Sequence, residues 1–305
     1  MTLRGFVKKS RSYYKFNPGE TAAVFQMEGN TRTWSEILQD PDYKRFADEF
    51  PSIYTNHWLS KADEKFKQLQ MPYMAEHVNR IVELLKLDET DVFIDLTDND
   101  HSIAAAIRDQ IKFNENTFCI GKPFKQLAEC VVQHPSLVPL YSESTLVAQD
   151  MSHFEVFHIN KVLITAETIA NNNNHITDLL KTLSKNLPED WRILIVYRPE
   201  HTYLPLFEGA RQEMIKTQLS TDDLRKQIRA AGLDKISIEL HHYQTEVEYE
   251  TWLAMLRSRH FSFLRNLRAE EVEDGIEFEI EPKYSDMDKI SFKDSFVYLT
   301  VLPTS

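Results

Sequence analysis

The sequence predicts an α/β protein: a mostly parallel, seven-stranded sheet with helices on both faces, an antiparallel edge and an N-terminal helical cap. Three observations predict it. In the stretch 91–111, Val92, Phe93, Ile94 and Leu96 form a short apolar run between acidic turn residues, which reads as a buried strand. Ile103, Ile107 and Ile111 then recur every four residues, one apolar helix face entered through Asp98, Asn99 or Asp100 as N-cap. Such strand and helix patterns alternate along the rest of the chain, and its last strands alternate apolar with polar residues, as a half-exposed antiparallel edge does.

In order, residues 1–90 form the cap, with helical spacing over Trp34–Phe50 and Ser60–Leu87 and aromatics at Tyr13, Tyr14, Phe16, Tyr54, Trp58 and Tyr73. The cap either packs on the main domain or serves as a lid over a small-molecule pocket. Residues 91–305 form the main domain. Its strands are expected at 92–96, 116–120, 137–141, 161–165, 192–197 and 235–243, with a last pair at 290–292 and 296–301. Helices are expected from Pro123 to His134, around Ile176–Leu187, and over 247–268. Another is capped by Ser220, with Asp223 at the box position and Gly232 at its end.

Composition excludes several classes. A net charge of −12 opposes the clustered positive field that nucleic acids need. No apolar run approaches the ~20 residues of a membrane span. The basic N-terminus, with Arg4, Lys8, Lys9, Arg11 and Lys15, has no apolar core and is no secretory signal. Two cysteines, Cys119 and Cys130, suit a reducing interior, so a cytoplasmic protein is expected. Seven glycines make about a third of the usual ~7% share, and none lies between 30 and 120, where a cofactor loop belongs.

Four segments resemble the Rossmann-like S-adenosylmethionine-dependent methyltransferases of the small-molecule branch. Val92-Phe93-Ile94-Asp95-Leu96 is similar to the family's first strand, and Asn160-Lys161-Val162-Leu163-Ile164 to its fourth, with His175-Ile176 matching a His-Ile that often follows. Leu187 to Ile195 resembles the entry to the fifth strand, and Leu224 to Gly232 the helix before the sixth. The resemblance implies cofactor contacts at Asp95, Thr97, Asn99, His101, Gly121, Glu143 and Thr165.

At those positions the chain departs from the family. Against Asp-Leu-Gly-x-Gly-x-Gly it carries Asp95-Leu96-Thr97-Asp98-Asn99-Asp100-His101, so all three glycines are replaced. Glycine allows positive φ and close backbone approach of a ligand. Asn99 could supply a positive φ, whereas β-branched Thr97 would be strained there. His101 would project bulk toward the cofactor. Asp98 and Asp100 put carboxylates at a helix N-terminus, the seat of the ligand's own carboxylate. Gly121 stands where the family has an acid for the ribose hydroxyls, and Asn160 and Trp191 are further replacements. A lost buried acceptor costs about 1–3 kcal/mol, and the losses together amount to a thousandfold or so in affinity at about 1.4 kcal/mol per decade.

Other constellations are weaker. Asp95, Asp98 and Asp100 lack the glycine and glutamate of a calcium loop. His241 and His242 point to opposite faces of a strand, so no metal is expected. No nucleophile elbow or phosphate loop occurs. Arg198 and Tyr203, past the fifth strand, are candidate substrate contacts, with Tyr14 and Trp58 from the cap, and His175 is a candidate base. Arg257 and Arg259 read as solvated charges answering Glu246, Glu248 and Glu250.

Two functional readings follow. In one, a methyltransferase-like protein with a degenerate S-adenosylmethionine site, a pseudoenzyme, acts on a small-molecule ligand or a protein partner, either a second copy or an active relative. In the other, an active methyltransferase transfers to a small molecule through a glycine-free loop, since methyl transfer needs chiefly alignment.

Overall fold

The computed structural model describes residues 24–27, 30–33, 71–96, 101–121, 137–141, 158–165, 176–217 and 220–303. Most of the expected cap lies outside them, including Tyr14, Trp58 and the helix at 34–50, as does the helix from Pro123. Among the described residues of the first 90 stand an antiparallel pair, β1 (Val24–Met27) and β2 (Asn30–Thr33), and a helix, α1 (Met74–Leu85).

The main sheet is built from β3 (Phe93–Asp95), β4 (Thr117–Gly121), β5 (Leu137–Tyr141), β6 (Lys161–Thr165), β7 (Arg192–Tyr197), β8 (Ile236–Glu248) and β9 (Lys289–Val301). Its order is β5-β4-β3-β6-β7-β9-β8. The first five strands run parallel, and β9 is antiparallel to both β7 and β8. Reversal of strand order beside β3 makes a crevice at the carboxyl ends of β3 and β6, where open α/β sheets bind ligands. The expected seven-stranded, mostly parallel sheet is present.

Strand alternation divides the core in two. Phe93, Leu163, Leu194, Val196 and Tyr298 face one side, under α1, with Val78, Ile81 and Leu85, and α2 (Ser102–Ile111), with Ala104 and Ile107. Ile94, Val162, Ile164, Ile193, Ile195 and Leu299 face the other, against α3 (Ile176–Asn186) and α5 (Thr221–Ala230). α4 (Glu208–Thr217), α6 (Tyr249–Arg257) and α7 (Ala269–Gly275) complete the first layer. α7 passes through one π turn, Ile276–Ile280, into a last helical turn, α8 (Glu281–Tyr284). The expected cap of α5 is present: Asp223 N donates to Ser220 Oγ at 3.1 Å, and Gly232 beyond its end has φ +83°.

Asn160 and Trp191, which depart from the family pattern, are explained by the amino ends of the strands. Asn160 accepts from Val92 N at 2.9 Å and donates to Asp91 at 2.7 Å and Asp190 at 3.1 Å. Lys161 pairs with Asp91 at 3.1 Å, both nearly fully buried. These contacts staple β3 to β6 at the end away from the crevice, and Trp191 is core.

Three expectations are corrected. The strand pair at 290–292 and 296–301 is the single strand β9, because the polar residues between its halves are partnered internally. Asp294 meets Arg198, and Ser295 Oγ lies 2.8 Å from His242 Nδ1. β8 runs five residues past Tyr243, and the helical stretch 247–268 shortens to α6 followed by a 3₁₀ turn at Ser262–Asn266. Arg257 answers Glu273 and Glu281, at 3.1 and 3.8 Å.

A Cβ on Gly275 would run into the ring of Phe207, which is fully buried. Gly275→Ala is therefore expected to destabilise by about 1–3 kcal/mol through overpacking. Urea unfolding measures this, and Phe207→Leu added to Gly275→Ala should recover part of the loss.

Candidate functional site at the carboxyl ends of the strands

β3 ends at Asp95, whose carboxylate is fully buried. After Leu96 the next described residue is His101, which precedes α2 with φ +57°, in the left-handed region, and makes no side-chain cap bond. Its imidazole turns back instead: Nδ1 lies 3.1 Å from Asp95 Oδ2, and the ring is 2% exposed. The position that precedes α2 directly is thus His101, not Asp98, Asn99 or Asp100, which lie outside the described residues together with Thr97. His101, where the family resemblance places its third glycine, has a positive φ, and Asn99, which could have supplied one, lies outside the described residues.

Gly121 closes β4, paired with Tyr141. Thr165 closes β6 opposite Val196, and among the described residues its buried hydroxyl has no hydrogen-bond partner. Asp95, Gly121 and Thr165 therefore stand at the ends of three neighbouring strands, while Glu143 and His175 lie outside the described residues.

Arg198, one residue past β7, is neutralised within the fold. Its Nε and Nη2 donate to the two oxygens of Asp294, each at 3.0 Å, and Asp294 is fully buried. Tyr73, just before α1, donates its hydroxyl to the same carboxylate, and Arg198 Nη2 reaches that hydroxyl at 3.4 Å. The guanidinium lies over the Phe296 ring at 4.5 Å and near Phe261 at 5.4 Å. Burial by itself would lower the Arg198 pKa, but the Asp294 charge more than offsets it and the guanidinium is held protonated. Burial raises the Tyr73 phenol well above its ordinary value, with Asp294 adding to the rise and Arg198 opposing it. Tyr73 is therefore a donor here and not a base.

A second layer lies beneath. His77 Nδ1 is 2.7 Å from Tyr298 Oη, which is 2.5 Å from Tyr243 Oη, and the Tyr243 ring stacks on Tyr73 at 4.7 Å. Burial, then the Arg198 charge, lowers the His77 pKa from 6.5 to about 3, so the imidazole stays neutral. Burial, then the hydrogen bond shared with Tyr243, pushes the Tyr298 phenol up. Tyr203, the other expected substrate contact, is 67% exposed. His241 and His242 do diverge, to Glu76 and Ser295. Asp294 and His77 gave no signal in the sequence, since a polar residue within an alternating strand or on a helix face reads as solvated.

Among the described residues no three His, Cys, Asp or Glu side chains cluster as a metal site would. No helix among them is long and apolar enough to cross a membrane. Cys119 is buried.

No family model and no curated protein matches the sequence. Solved structures do. An S-adenosylmethionine-dependent methyltransferase from Geobacter sulfurreducens, in complex with S-adenosyl-L-homocysteine, is 14% identical with TM-score 0.45, over 78% of this chain and 93% of that one. Phosphoethanolamine N-methyltransferase 2 of Haemonchus contortus is 11% identical with TM-score 0.48, over 90% of this chain; the chain spans only 63% of that protein. A cyclopropane synthase of Mycobacterium tuberculosis is 10% identical with TM-score 0.45, over 74% and 83%. All three TM-scores lie below 0.5, and the fold itself rests on the sheet order and register described above. At these identities the likeness is one of fold, and what the site does rests on its own residues.

Two outcomes are expected of the buried network. Asp294→Ala strands the Arg198 charge and should destabilise by about 3 kcal/mol, the low end of the range for a broken buried pair, because the Arg198 side chain keeps 20% exposure. Denaturant unfolding measures it. His77 should make the fold acid-sensitive. Its folded pKa is depressed, so the unfolded chain takes up a proton below about 6.5 that the folded chain refuses until about 3. Stability is then full above about 6.5 and falls with decreasing pH by up to about 1.4 kcal/mol per unit. In His77→Gln, the slope of stability against pH between 6.5 and 5 should flatten by about one proton.

Proposed function

We propose that this is a cytoplasmic, methyltransferase-like protein whose S-adenosylmethionine seat is weak or lost. In this reading it works as a ligand-binding or partner protein. The contact between Asp95 and His101 carries the proposal. At the end of the first strand the family resemblance expects a carboxylate beside bare, glycine-rich backbone. Here one oxygen of that carboxylate is engaged by the chain's own imidazole at 3.1 Å, in a fully buried pair. A ligand taking that position would have to displace a desolvated pair, and removing one partner of such a pair is costly. In sequence, Asp98 and Asp100 add negative charge just ahead of His101, and like charge disfavours an anionic ligand group.

One observation favours the second reading, an active enzyme with a glycine-free loop. Among the described residues the Thr165 hydroxyl, buried at the carboxyl end of β6, has no partner, and buried hydroxyls are normally paired, so a ligand group at this strand end would satisfy it. The two readings separate on thermal unfolding with millimolar S-adenosylmethionine or S-adenosylhomocysteine. No shift with either compound is expected. A ligand at 100 times its Kd would add about 2.7 kcal/mol, so a clear upward shift that Asp95→Ala abolishes would overturn the proposal. The backbone at 101 already has a positive φ that glycine adopts freely. Thr97→Gly, Asn99→Gly and His101→Gly combined should therefore create a ligand-induced shift that the natural chain lacks.

A further inference from the structure

β8 closes the sheet order and, among the described residues, pairs on one side only, with β9. It is 13 residues long. Exposed edge strands are usually kept short, bulged, or marked with lysine or proline, because an open row of backbone groups invites another chain. Between Ile236 and Glu248 there is no lysine, arginine, proline or glycine.

The even-numbered face of β8 carries the core of the sheet outward to this edge. Ile236 packs on that core opposite Val301. Ile238 opposes Leu299 and Leu240 opposes Val297, and both of those partners are buried. Yet Ile238 is 38% exposed and Leu240 55%. On the odd-numbered face, Glu239 is ion-paired with Arg80 of α1, and His241 lies 3.1 Å from Glu76.

We propose that β8 pairs antiparallel with β8 of a second copy of this chain, about a twofold axis at Leu240, so that one sheet runs through both copies. Charge selects this register. With the axis at Leu240, Glu239 of each copy opposes the partner's His241, acid against imidazole, on both sides of the axis. Axes at 239 or 241 set Glu239 or His241 against itself, and like groups directly opposed are unfavourable. Axes between residues would pair opposite faces of the pleat and are excluded by it. In the chosen register Leu240 meets the partner's Leu240, with Ile238 of each copy diagonal to it, so the two exposed side chains cover each other. This is an isologous contact that closes on itself. It holds whether or not the adenosyl seat is lost.

Sedimentation velocity on the full chain at tens of micromolar tests the proposal, with a dimer expected. Leu240→Lys places two charges at the axis on an already exposed position. It should raise the dimer Kd by at least about tenfold while circular dichroism shows an unchanged fold. Leu240→Cys should give a disulfide-linked dimer on mild oxidation, because facing Cβ atoms in such a pair stand about 4.5–5.5 Å apart. Ile215→Cys, exposed on α4, should not. A monomeric natural chain overturns the proposal. So does a dimer that Leu240→Lys leaves intact, or one in which Leu240→Cys fails to cross-link.

Discussion

The bidentate pair between Arg198 and Asp294 is the contact on which this side of the molecule depends. A charge removed from water costs several kcal/mol unless its partner meets it with good geometry and the remaining lone pairs are filled. Here both conditions hold, with two bonds at 3.0 Å and a third donated by Tyr73. Because the three groups come from β9, from the end of β7 and from the residue before α1, the pair joins three distant parts of the chain. It lets β9 continue straight through a polar stretch, and it anchors the start of α1 over the sheet. The hydroxyls of Tyr243 and Tyr298, with neutral His77, fill the space behind it.

The same rule operates at both ends of the parallel strands. At the amino ends, Asp91, Asn160 and Lys161 satisfy one another and staple β3 to β6. At the carboxyl ends, Asp95 is engaged by His101, and Arg198 by Asp294. Self-satisfaction at the amino ends is a matter of stability. At the carboxyl ends it also limits what a ligand can gain, since a group already paired inside the fold must first be released. Among the polar side chains placed there, the Thr165 hydroxyl stands out as buried and still unserved.

Some departures from the family pattern proved to be structural. Asn160 and Trp191 lie at the far end of the sheet from the crevice, and their roles are stapling and packing. The change at position 101 is of another kind. His101 has a positive φ, which glycine adopts freely, and its side chain is spent on the strand-end carboxylate.

The local patterns of the chain were sufficient for the sheet and most of its helices. Runs such as Val162–Ile164 and Ile193–Val196 are buried on both faces and so are apolar throughout. The cap at Ser220 and the stop at Gly232 are local chemistry, legible from a few neighbouring residues. Tertiary structure alone decided which polar residues were buried. Asp294 and Ser295 looked like a break between two strands, and His77 like one more polar position on a helix. Their partners, Arg198, His242 and Tyr298, lie between 53 and 221 residues away. A sequence shows that a residue is charged, but whether that charge meets water or a partner depends on which distant segment the fold brings beside it.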